Sequence, residues 1–355
     1  MNQTVQTAIV GVTGYAGAEL ARLLLHHPRL KHTPPVFAGR VDAGDAARGG
    51  IPLVEIHPQL ADNNGRGALK LQPFSWELLA ERGVEVLFLA TPHDQSREWV
   101  PEALARGLRV IDLSGAWRLT EAANRAIYAF KDDGSAQAAA TQAHAVYGMP
   151  ELHRKHIAGA RRVANPGCYA TSIILPLRPL VAAGLVDLMH GIVADSKSGV
   201  SGAGKAPTAK THYMYAADNL SAYSVFTHRH TGELLEQVGV SASEIVFTPH
   251  LLPIPRGILS TIYVRFRQPQ SRANIARVYQ EFFAGSPMVR LYDNTLPQIQ
   301  YSVRTNYADI GFQLSADGRR AVIVSCIDNL LKGASGQAVQ NLNVMLGWNE
   351  AEGLE

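Results

Sequence analysis

The chain has 355 residues, of which 46% are hydrophobic and 7% aromatic, which is typical of an α/β protein with two domains. The formal net charge is only +3 and like charges form no blocks, so nothing indicates nucleic-acid or anionic-membrane binding. No apolar run reaches the roughly 18–20 residues that span a bilayer. The polar start Met1–Thr4 lacks the basic residues of a signal peptide. Two distant cysteines, Cys168 and Cys326, form no metal motif, and we expect a cytoplasmic protein without a metal.

A glycine-rich turn follows the first predicted strand at once. The apolar run Ala8–Val10 ends there, and the helical pattern Ala16–His27 begins within the turn. Strand, G-x-x-G-x-x-G and helix in this order are typical of dinucleotide binding, because glycines let the backbone approach a pyrophosphate at the helix N-terminus. The alternative is a tight turn without a ligand. The residues expected to contact the nucleotide are Gly11, Thr13, Gly14, Tyr15, Ala16 and Gly17.

Strands and helices then alternate as far as about residue 165. Predicted strands cover Pro35–Ala38, Glu85–Ala90 and Arg109–Leu113, and the helix Ser96–Arg106 separates the last two. This alternation favours a parallel, Rossmann-type sheet with helices on both faces. Two segments are predicted to be surface loops: Ala61–Gly67 and Ala136–Ala145.

Polar residues follow these strands where an open α/β sheet binds its ligands, beyond the carboxyl ends. Thr91 and Pro92 are expected to contact the cofactor, and Ser114 and Arg118 an anionic substrate, although Arg118 could equally be a surface residue. Arg40 follows the second strand, where it could pair with the 2′-phosphate of NADP. Asp42 nearby is a competing signal for NAD.

A cysteine in a particular setting opens the second half of the chain. Pro166 and Gly167 deliver Cys168 to the first turn of a predicted helix. A helix N-terminus favours the thiolate, and its N–H groups could hold an oxyanion, so the position suits a nucleophile. The alternative is a small residue buried at a helix start.

Strand-like segments dominate after Cys168. The apolar helix Tyr169–Gly184 is expected to break at Pro176 and Pro179, and Asp317-Gly318 signals a hairpin. The predicted strands are Gly191–Asp195, Glu244–Phe247, Leu259–Phe266, Ile310–Leu314 and Ala321–Ile327. They indicate an α+β domain with a mixed, largely antiparallel sheet, with more apolar strands than it needs to bury, so we expect a homodimer or homotetramer.

Two polar segments could complete a site. Lys197–Lys205 is predicted to be a glycine- and serine-rich loop for an anionic substrate, or simply a flexible loop. His228 and His230 are the best sources of a general base for a thiolate enzyme, and we favour His230 because it lies closest to the predicted helix Glu233–Val238. Asn329, after the last strand, could bond a carboxamide.

In their order and spacing, Gly11–Gly17, Asn165–Thr171, Lys197–Lys205, His228–Glu233 and Asp328–Gln337 resemble the N-acetyl-γ-glutamyl-phosphate reductase family. The resemblance covers nearly the whole chain. It implies that NADPH reduces an acyl phosphate to an aldehyde through a thioester on Cys168, with a proton shuttled by His228 or His230. The substrate contacts that it implies are Ser114, Arg118, Asn165, Lys197, Ser198, Gly199, Arg229 and Arg256.

The implied organisation is an NADP-binding domain over 1–165, a catalytic and dimerisation domain over 166–327, and a C-terminal segment over 328–355. Its final helix, Gly336–Leu346, returns to the first domain, where Asn329 contacts the cofactor. Two alternatives remain open. The same chemistry could act on an aminoadipyl or aspartyl phosphate, because one methylene is worth only about 1–3 kcal/mol in discrimination. The chain could also be a non-catalytic nucleotide-binding regulator.

Overall fold

A computed structural model describes residues 4–61, 68–130, 142 and 145–355. The chain divides into two compact units, and it passes from one to the other four times. The first unit comprises Met1–Arg118, Lys131–Asn165 and Ser335–Glu355, and the second comprises Leu119–Phe130 and Pro166–Ala334. The division therefore differs from the predicted boundaries, since 119–130 and 328–334 cluster with the second unit. Among the described residues, no helix is long and apolar enough to cross a membrane.

The first unit contains an eight-stranded sheet in the order β3-β4-β2-β1-β5-β6-β8-β7, parallel except for the β3–β4 pair. Its strands are β1 Thr7–Val10, β2 Val36–Gly39, β3 Ile51–Pro52, β4 Lys70–Pro73, β5 Val86–Leu89, β6 Arg109–Asp112, β7 Val146–Tyr147 and β8 Arg162–Ala164. Ile9 of β1 lies between Phe37 and Phe88 in register. All residues of β1 and β5 are buried, as apolar runs without alternation require in a parallel sheet. This sheet confirms the predicted Rossmann-type class.

Helices connect these strands, and the glycine-rich turn of β1 leads into the first. Among the described residues of this unit, the α-helices are Tyr15–His26, Ala43–Ala47, Leu53–Ile56, Trp76–Glu81, His93–Ala105, Pro150–Ile157 and Gly336–Met345. The predicted loops Ala61–Gly67 and Ala136–Ala145 lie largely outside the described residues.

The C-terminal helix Gly336–Met345 is buried along its entire length in the first unit. Its polar side chains bond inside that unit. Gln337 donates to the Gly148 carbonyl at 3.0 Å, and Asn341 donates to Asn165 Oδ1 at 3.0 Å. Because buried amides cost free energy when unbonded, these bonds tie the helix to one position.

The second unit contains a seven-stranded sheet in the order β10-β11-β9-β12-β15-β14-β13. Its strands are β9 Ile192–Gly199, β10 Ser221–Ala222, β11 Ile245–Leu252, β12 Ile258–Arg265, β13 Val289–Tyr292, β14 Ala308–Leu314 and β15 Arg320–Ile327. The β9–β11 and β13–β14 pairs are parallel and the others antiparallel, which confirms the predicted mixed sheet. β14 and β15 form the hairpin that Asp317-Gly318 predicted.

One predicted loop begins as a strand. Lys197, Ser198 and Gly199 pair with His250–Leu252 as the end of β9, and only the residues after them leave the sheet. The prediction of a loop over Lys197–Lys205 was therefore wrong for its first three residues, because backbone pairing with both neighbours outweighed their polar composition.

The helix Cys168–Ala182 runs unbroken through Pro176 and Pro179, so the predicted break was wrong. A proline inside a helix costs about 3 kcal/mol. Here the helix packs on β12 and β15, and its buried apolar residues offset that cost. The hydroxyl of Tyr279 donates to the Pro176 carbonyl at 2.8 Å, which satisfies one of its backbone acceptors. The other α-helices of this unit are Ala122–Arg125, Tyr213–Ala216, Thr231–Leu234, Arg272–Phe282 and Ile299–Ser302.

Candidate active site

Cys168 is the first residue of its helix, as the sequence predicts. Gly167 is the N-cap, with an extended backbone at φ −77° and ψ 150°, and its carbonyl accepts the first helical hydrogen bond from Thr171. The thiol is half-buried in the wall of a cavity of about 470 Å³. Helix N-terminal N–H groups therefore lie beside a partly accessible thiol, the setting that favours a thiolate.

The cavity draws its lining from four parts of the second unit. The helix N-terminus contributes Cys168 and Tyr169. A second part of the wall is the histidine motif His228–His230. The strand ends and the segment between β9 and β10 complete it, with Ser198, Gly202, Ala203, Thr208, Ala209, Lys210, Thr211, Tyr215, Ala216, Asn219, Ser221, Ala222, Tyr223, Leu251 and Leu252.

His230 packs directly against the residue before Cys168. A Cβ placed on Gly167 would lie 2.4 Å from His230 Nε2, so only glycine leaves room for this imidazole. Glu233 is fully buried, and its Oε2 accepts a hydrogen bond of 2.9 Å from the Gly167 N–H. Its other oxygen lies 4.0 Å from His230 Nε2. One carboxylate thus bonds the turn that carries the thiol and lies beside the imidazole.

Sequence reasoning assigned Glu233 no role. The available signal was its place three residues after His230, one helical turn later on the same face. Gly333 was missed in the same way. A Cβ there would lie 2.7 Å from the Cys168 Cβ, so the turn after β15 packs its backbone on the thiol residue.

His228 has a different environment from His230. Its ring is surrounded by those of Tyr169, Tyr223 and Phe247, at centroid distances of 5.4, 5.7 and 5.2 Å. Burial, and secondarily the charge of Arg229, lower the pKa of His228 to about 4. The two histidines therefore have distinct environments, a difference that the sequence alone did not show.

The predicted anion-binding residues separate in the structure. Ser198 and Arg229 line the cavity, whereas Lys197 is not part of its wall. Along β9 the buried residues alternate with more exposed ones, so Lys197 shares the outer face with Asp195, and its Nζ donates to the Asp195 carboxylate at 2.5 Å. Gly199 is packed closely, because a Cβ there would lie 2.7 Å from the backbone nitrogen of Arg256.

Arg256 and Asn329 belong to a bonded network of the second unit. Arg256 Nη2 donates to Asp328 Oδ1 at 3.0 Å. Asn329 is buried, and its side chain accepts from the Gly257 N–H at 2.7 Å and donates to Ser201 at 2.9 Å. These contacts support the turn after β15. The predicted contacts of Asn329 with cofactor and of Arg256 with substrate stay predictions.

In the first unit, the glycine turn fits a pyrophosphate. Gly11 has φ +96°, and a Cβ on it would lie 2.3 Å from the Ala90 carbonyl. A Cβ on Gly17 would lie 2.1 Å from the Gly11 carbonyl, whereas Gly14 meets nothing closer than 3.6 Å. Gly14 thus leaves open space at the start of the helix Tyr15–His26, in which Tyr15 and Ala16 are the first residues and Thr13 lies in the turn before them. The chain order reverses here, since β2 lies on one side of β1 and β5 on the other.

Arg40 is exposed directly after β2. The competing signal, Asp42, caps the short helix Ala43–Ala47 and accepts the Asp45 N–H at 2.8 Å. A carboxylate used as a helix cap is a weaker candidate for a ribose hydroxyl, so the geometry favours Arg40 and a 2′-phosphate.

The polar residues after β5 and β6 bond to each other. Thr91 bonds Ser96 at 2.8 Å, and Ser114 donates to the Asp112 carboxylate at 2.7 Å. Burial raises the pKa of Asp112. Pro92 is the N-cap of the helix His93–Ala105.

Arg118 is 8% exposed and donates at 2.7 Å to the carbonyls of Asn165 and Leu113. These bonds use Arg118 donors that were predicted for a substrate, and Asn165 Oδ1 likewise accepts a hydrogen bond from Asn341. Substrate contacts of Ser114, Arg118 and Asn165 stay predictions. Within the described residues, no group of three or more His, Cys, Asp or Glu could hold a metal ion.

Comparison with known proteins places this geometry in a family. Residues 6–160 match the semialdehyde dehydrogenase NAD binding domain, and residues 168–329 match the semialdehyde dehydrogenase dimerisation domain. N-acetyl-gamma-glutamyl-phosphate reductase of Desulfotalea psychrophila is 42% identical, with 99% of this chain and 98% of that protein covered. Those of Methanocaldococcus jannaschii and Geobacillus stearothermophilus are 39% and 40% identical, with 98% of this chain and 97% of each protein covered.

The chain belongs to the N-acetyl-γ-glutamyl-phosphate reductase family. Solved structures show the fold of this family more widely. Aspartate semialdehyde dehydrogenase II from Vibrio cholerae, complexed with ASA, matches with a TM-score of 0.67 at 17% identity, covering 96% of this chain and 98% of that one. Aspartate semialdehyde dehydrogenase with NADP from Candida albicans matches with a TM-score of 0.67 at 15% identity and the same coverage. At these identities the likeness concerns the fold alone.

Proposed function

We propose that this chain reduces N-acetyl-L-glutamyl 5-phosphate to N-acetyl-L-glutamate 5-semialdehyde and phosphate with NADPH, a step of arginine biosynthesis. The observation that carries the proposal is the 39–42% identity to reductases of that name over nearly the whole chain. The geometry around Cys168 supports it independently, because a half-buried thiol at a helix N-terminus lies in a cavity beside two histidines.

Cys168 is the proposed nucleophile. Its thiolate attacks the acyl carbon, and the negative oxygen that develops is stabilised by donors in the cavity wall. The carbonyl re-forms as the bond to phosphate breaks, which leaves a thioester on Cys168. NADPH, when bound, supplies the hydride that reduces the acyl group. The turn Gly11–Gly17 and Arg40 are proposed to hold it, with Thr91, Pro92 and Asn329 as further contacts.

His230 is the proposed acid–base residue. Hydride transfer to the thioester leaves a negative charge on the oxygen, which an acid protonates to give a thiohemiacetal. The same group takes the proton back as the carbon–sulfur bond breaks and the aldehyde forms, and an imidazole can do both near neutral pH. Glu233 positions the ring, since its carboxylate lies 4.0 Å from Nε2 and also bonds the Gly167 N–H. Ser198 and Arg229 line the same cavity and are proposed to bind the substrate's anionic groups.

We also propose that the chain assembles as a homodimer or homotetramer through the outer face of the second sheet. Val193, Val246 and Tyr263 are neighbours in register there, and they are 42%, 37% and 46% exposed. Adjacent apolar residues on one sheet face favour burial against another protein surface. The match to a dimerisation domain supports this proposal. A monomer mass by light scattering at micromolar concentration would refute it.

The reverse reaction tests the function. The enzyme is mixed with NADP⁺, phosphate and one of three semialdehydes: that of N-acetylglutamate, of the aminoadipate analogue or of aspartate. Reduced cofactor is followed by absorbance. We expect the highest kcat/KM with N-acetylglutamate 5-semialdehyde. A higher value with another semialdehyde would change the substrate, and no turnover with any of them would favour a non-catalytic regulator. Cys168 and Cys326 are both thiols and not disulfides, which fits the predicted cytoplasmic location.

A further inference from the structure

The hydrogen bonding of His228 determines which of its nitrogens carries a proton. Its Nδ1 accepts a hydrogen bond of 3.1 Å from the backbone N–H of His230. An imidazole nitrogen that accepts has no hydrogen, so the neutral ring carries its proton on Nε2. A backbone N–H can donate a hydrogen bond but cannot accept one, so Nδ1 must be the acceptor. Nε2–H is then the only donor of this ring.

The groups around His228 oppose a positive charge on it. Its ring faces Tyr169, Tyr223, Phe247 and the ring of His230, whose centroid is 4.7 Å away. Burial raises the pKa of Tyr223 to about 12 and that of Tyr169 further, so both phenols are neutral. Arg229 is the charged side chain that, after burial, further lowers the pKa of His228, because it is a cation. Protonation of His228 would also break the bond from His230.

From this arrangement we propose that His228 is an uncharged hydrogen-bond donor to the substrate's reacting carbonyl oxygen, while His230 moves the proton. The inference rests on the proposed function and divides its two histidines by role. His228 lines the same cavity as Cys168, so its ring lies beside the space where the acyl group reacts.

His228 transfers no proton when the thioester forms. The Cys168 sulfur forms a bond to the acyl carbon, and the carbonyl electron pair moves onto oxygen. Nε2–H donates to that oxygen and keeps its proton. The pair returns as the carbon–oxygen bond to phosphate breaks. A neutral donor suits this role, because it stabilises the developing charge without protonating the oxygen and stopping the collapse to thioester.

Two substitutions separate a donor from a proton shuttle. His228→Gln places an amide N–H near the position of Nε2 and cannot act as a shuttle, whereas His228→Phe keeps a ring and removes the donor. We expect the Gln variant to retain kcat within about tenfold with an unchanged pH profile. In the Phe variant, kcat should fall about 10²–10³-fold, which is the typical effect of removing an oxyanion donor. His32→Gln, at an exposed histidine of the first unit, is the matched control and should change neither value.

Nitrogen-15 NMR of histidine-labelled wild-type protein reads the proton directly and does not depend on the activity of any variant. The signal absent from His228→Phe is expected to show the Nε2–H tautomer and no titration between pH 5.5 and 8. A His228 that titrates in this range, or equal losses in the Gln and Phe variants of an active enzyme, would overturn the inference. An inactive wild-type protein would instead count against the proposed function, so the two failures are distinguishable.

Discussion

Replacing Gly167 by alanine tests the central geometry of the site. The new methyl group would lie 2.4, 2.5 and 2.7 Å from Nε2, Cε1 and Cδ2 of His230, where ordinary contact begins at 3.4 Å. The imidazole must therefore move by about 1 Å, since the methyl group is held by the helix start. A displacement of about 1 Å in a catalytic group costs roughly 10²-fold in rate. Overpacking should also destabilise the fold by about 1–3 kcal/mol.

The assay is kcat with N-acetylglutamate 5-semialdehyde, measured beside thermal unfolding and NADP⁺ binding by fluorescence. We expect a loss of about 10²-fold in kcat, with cofactor affinity unchanged, because the glycine turn for the nucleotide belongs to the other unit. Gly44→Ala is the matched control, since a Cβ there meets its nearest atom at an ordinary 3.4 Å. Full kcat in a folded Gly167→Ala protein would refute the placement of His230 in the reaction.

Further predictions concern the two thiols, the cofactor and the effect of pH on stability. Cys168→Ser should fold, bind NADP⁺ and lose nearly all turnover in the same assay, because the hydroxyl stays protonated. Cys326→Ala should keep turnover with a lower unfolding midpoint, since this thiol is buried in β15 and burial raises its pKa to about 12. Arg40→Ala should lower kcat/KM for NADPH and leave that for NADH unchanged, and equal effects on both would refute the 2′-phosphate contact. Burial lowers the pKa of His27 below 6.5, so its stabilising contribution is present above pH 6.5 and is lost as pH falls through the folded-state pKa. Unfolding midpoints of the wild type should therefore decline below pH 6.5 more steeply than those of His27→Gln, which keeps a donor for Asn343 but does not titrate.

The sequence predicted the features that depend on local pattern. Apolar runs without alternation became the buried strands β1, β5 and β6, and glycine spacing identified the turn at Gly11. A Pro-Gly turn before Cys168 likewise placed the thiol at a helix start. These features depend on neighbours within a few residues, so the local sequence determines them.

Features that depend on distant partners were not predictable. Helix breaking at Pro176 follows from local propensity, and tertiary packing overrode it. Lys197 carries the charge expected of an anion site, but the alternation of β9 turns it away from the cavity. The different environment of His228 depends on Phe247, which the sequence does not place beside its ring.

The buried C-terminal helix has a consequence for how the protein is made. The strand β1 leaves the ribosome long before Gly336–Met345, but the unit that contains β1 also needs this helix. Domains usually fold as they emerge, N-terminal first. Here the nucleotide-binding unit cannot finish its core until Gly336–Met345 has been synthesised, whereas most of the second unit is already available. A premature stop codon near residue 335 would therefore damage the unit that contains β1.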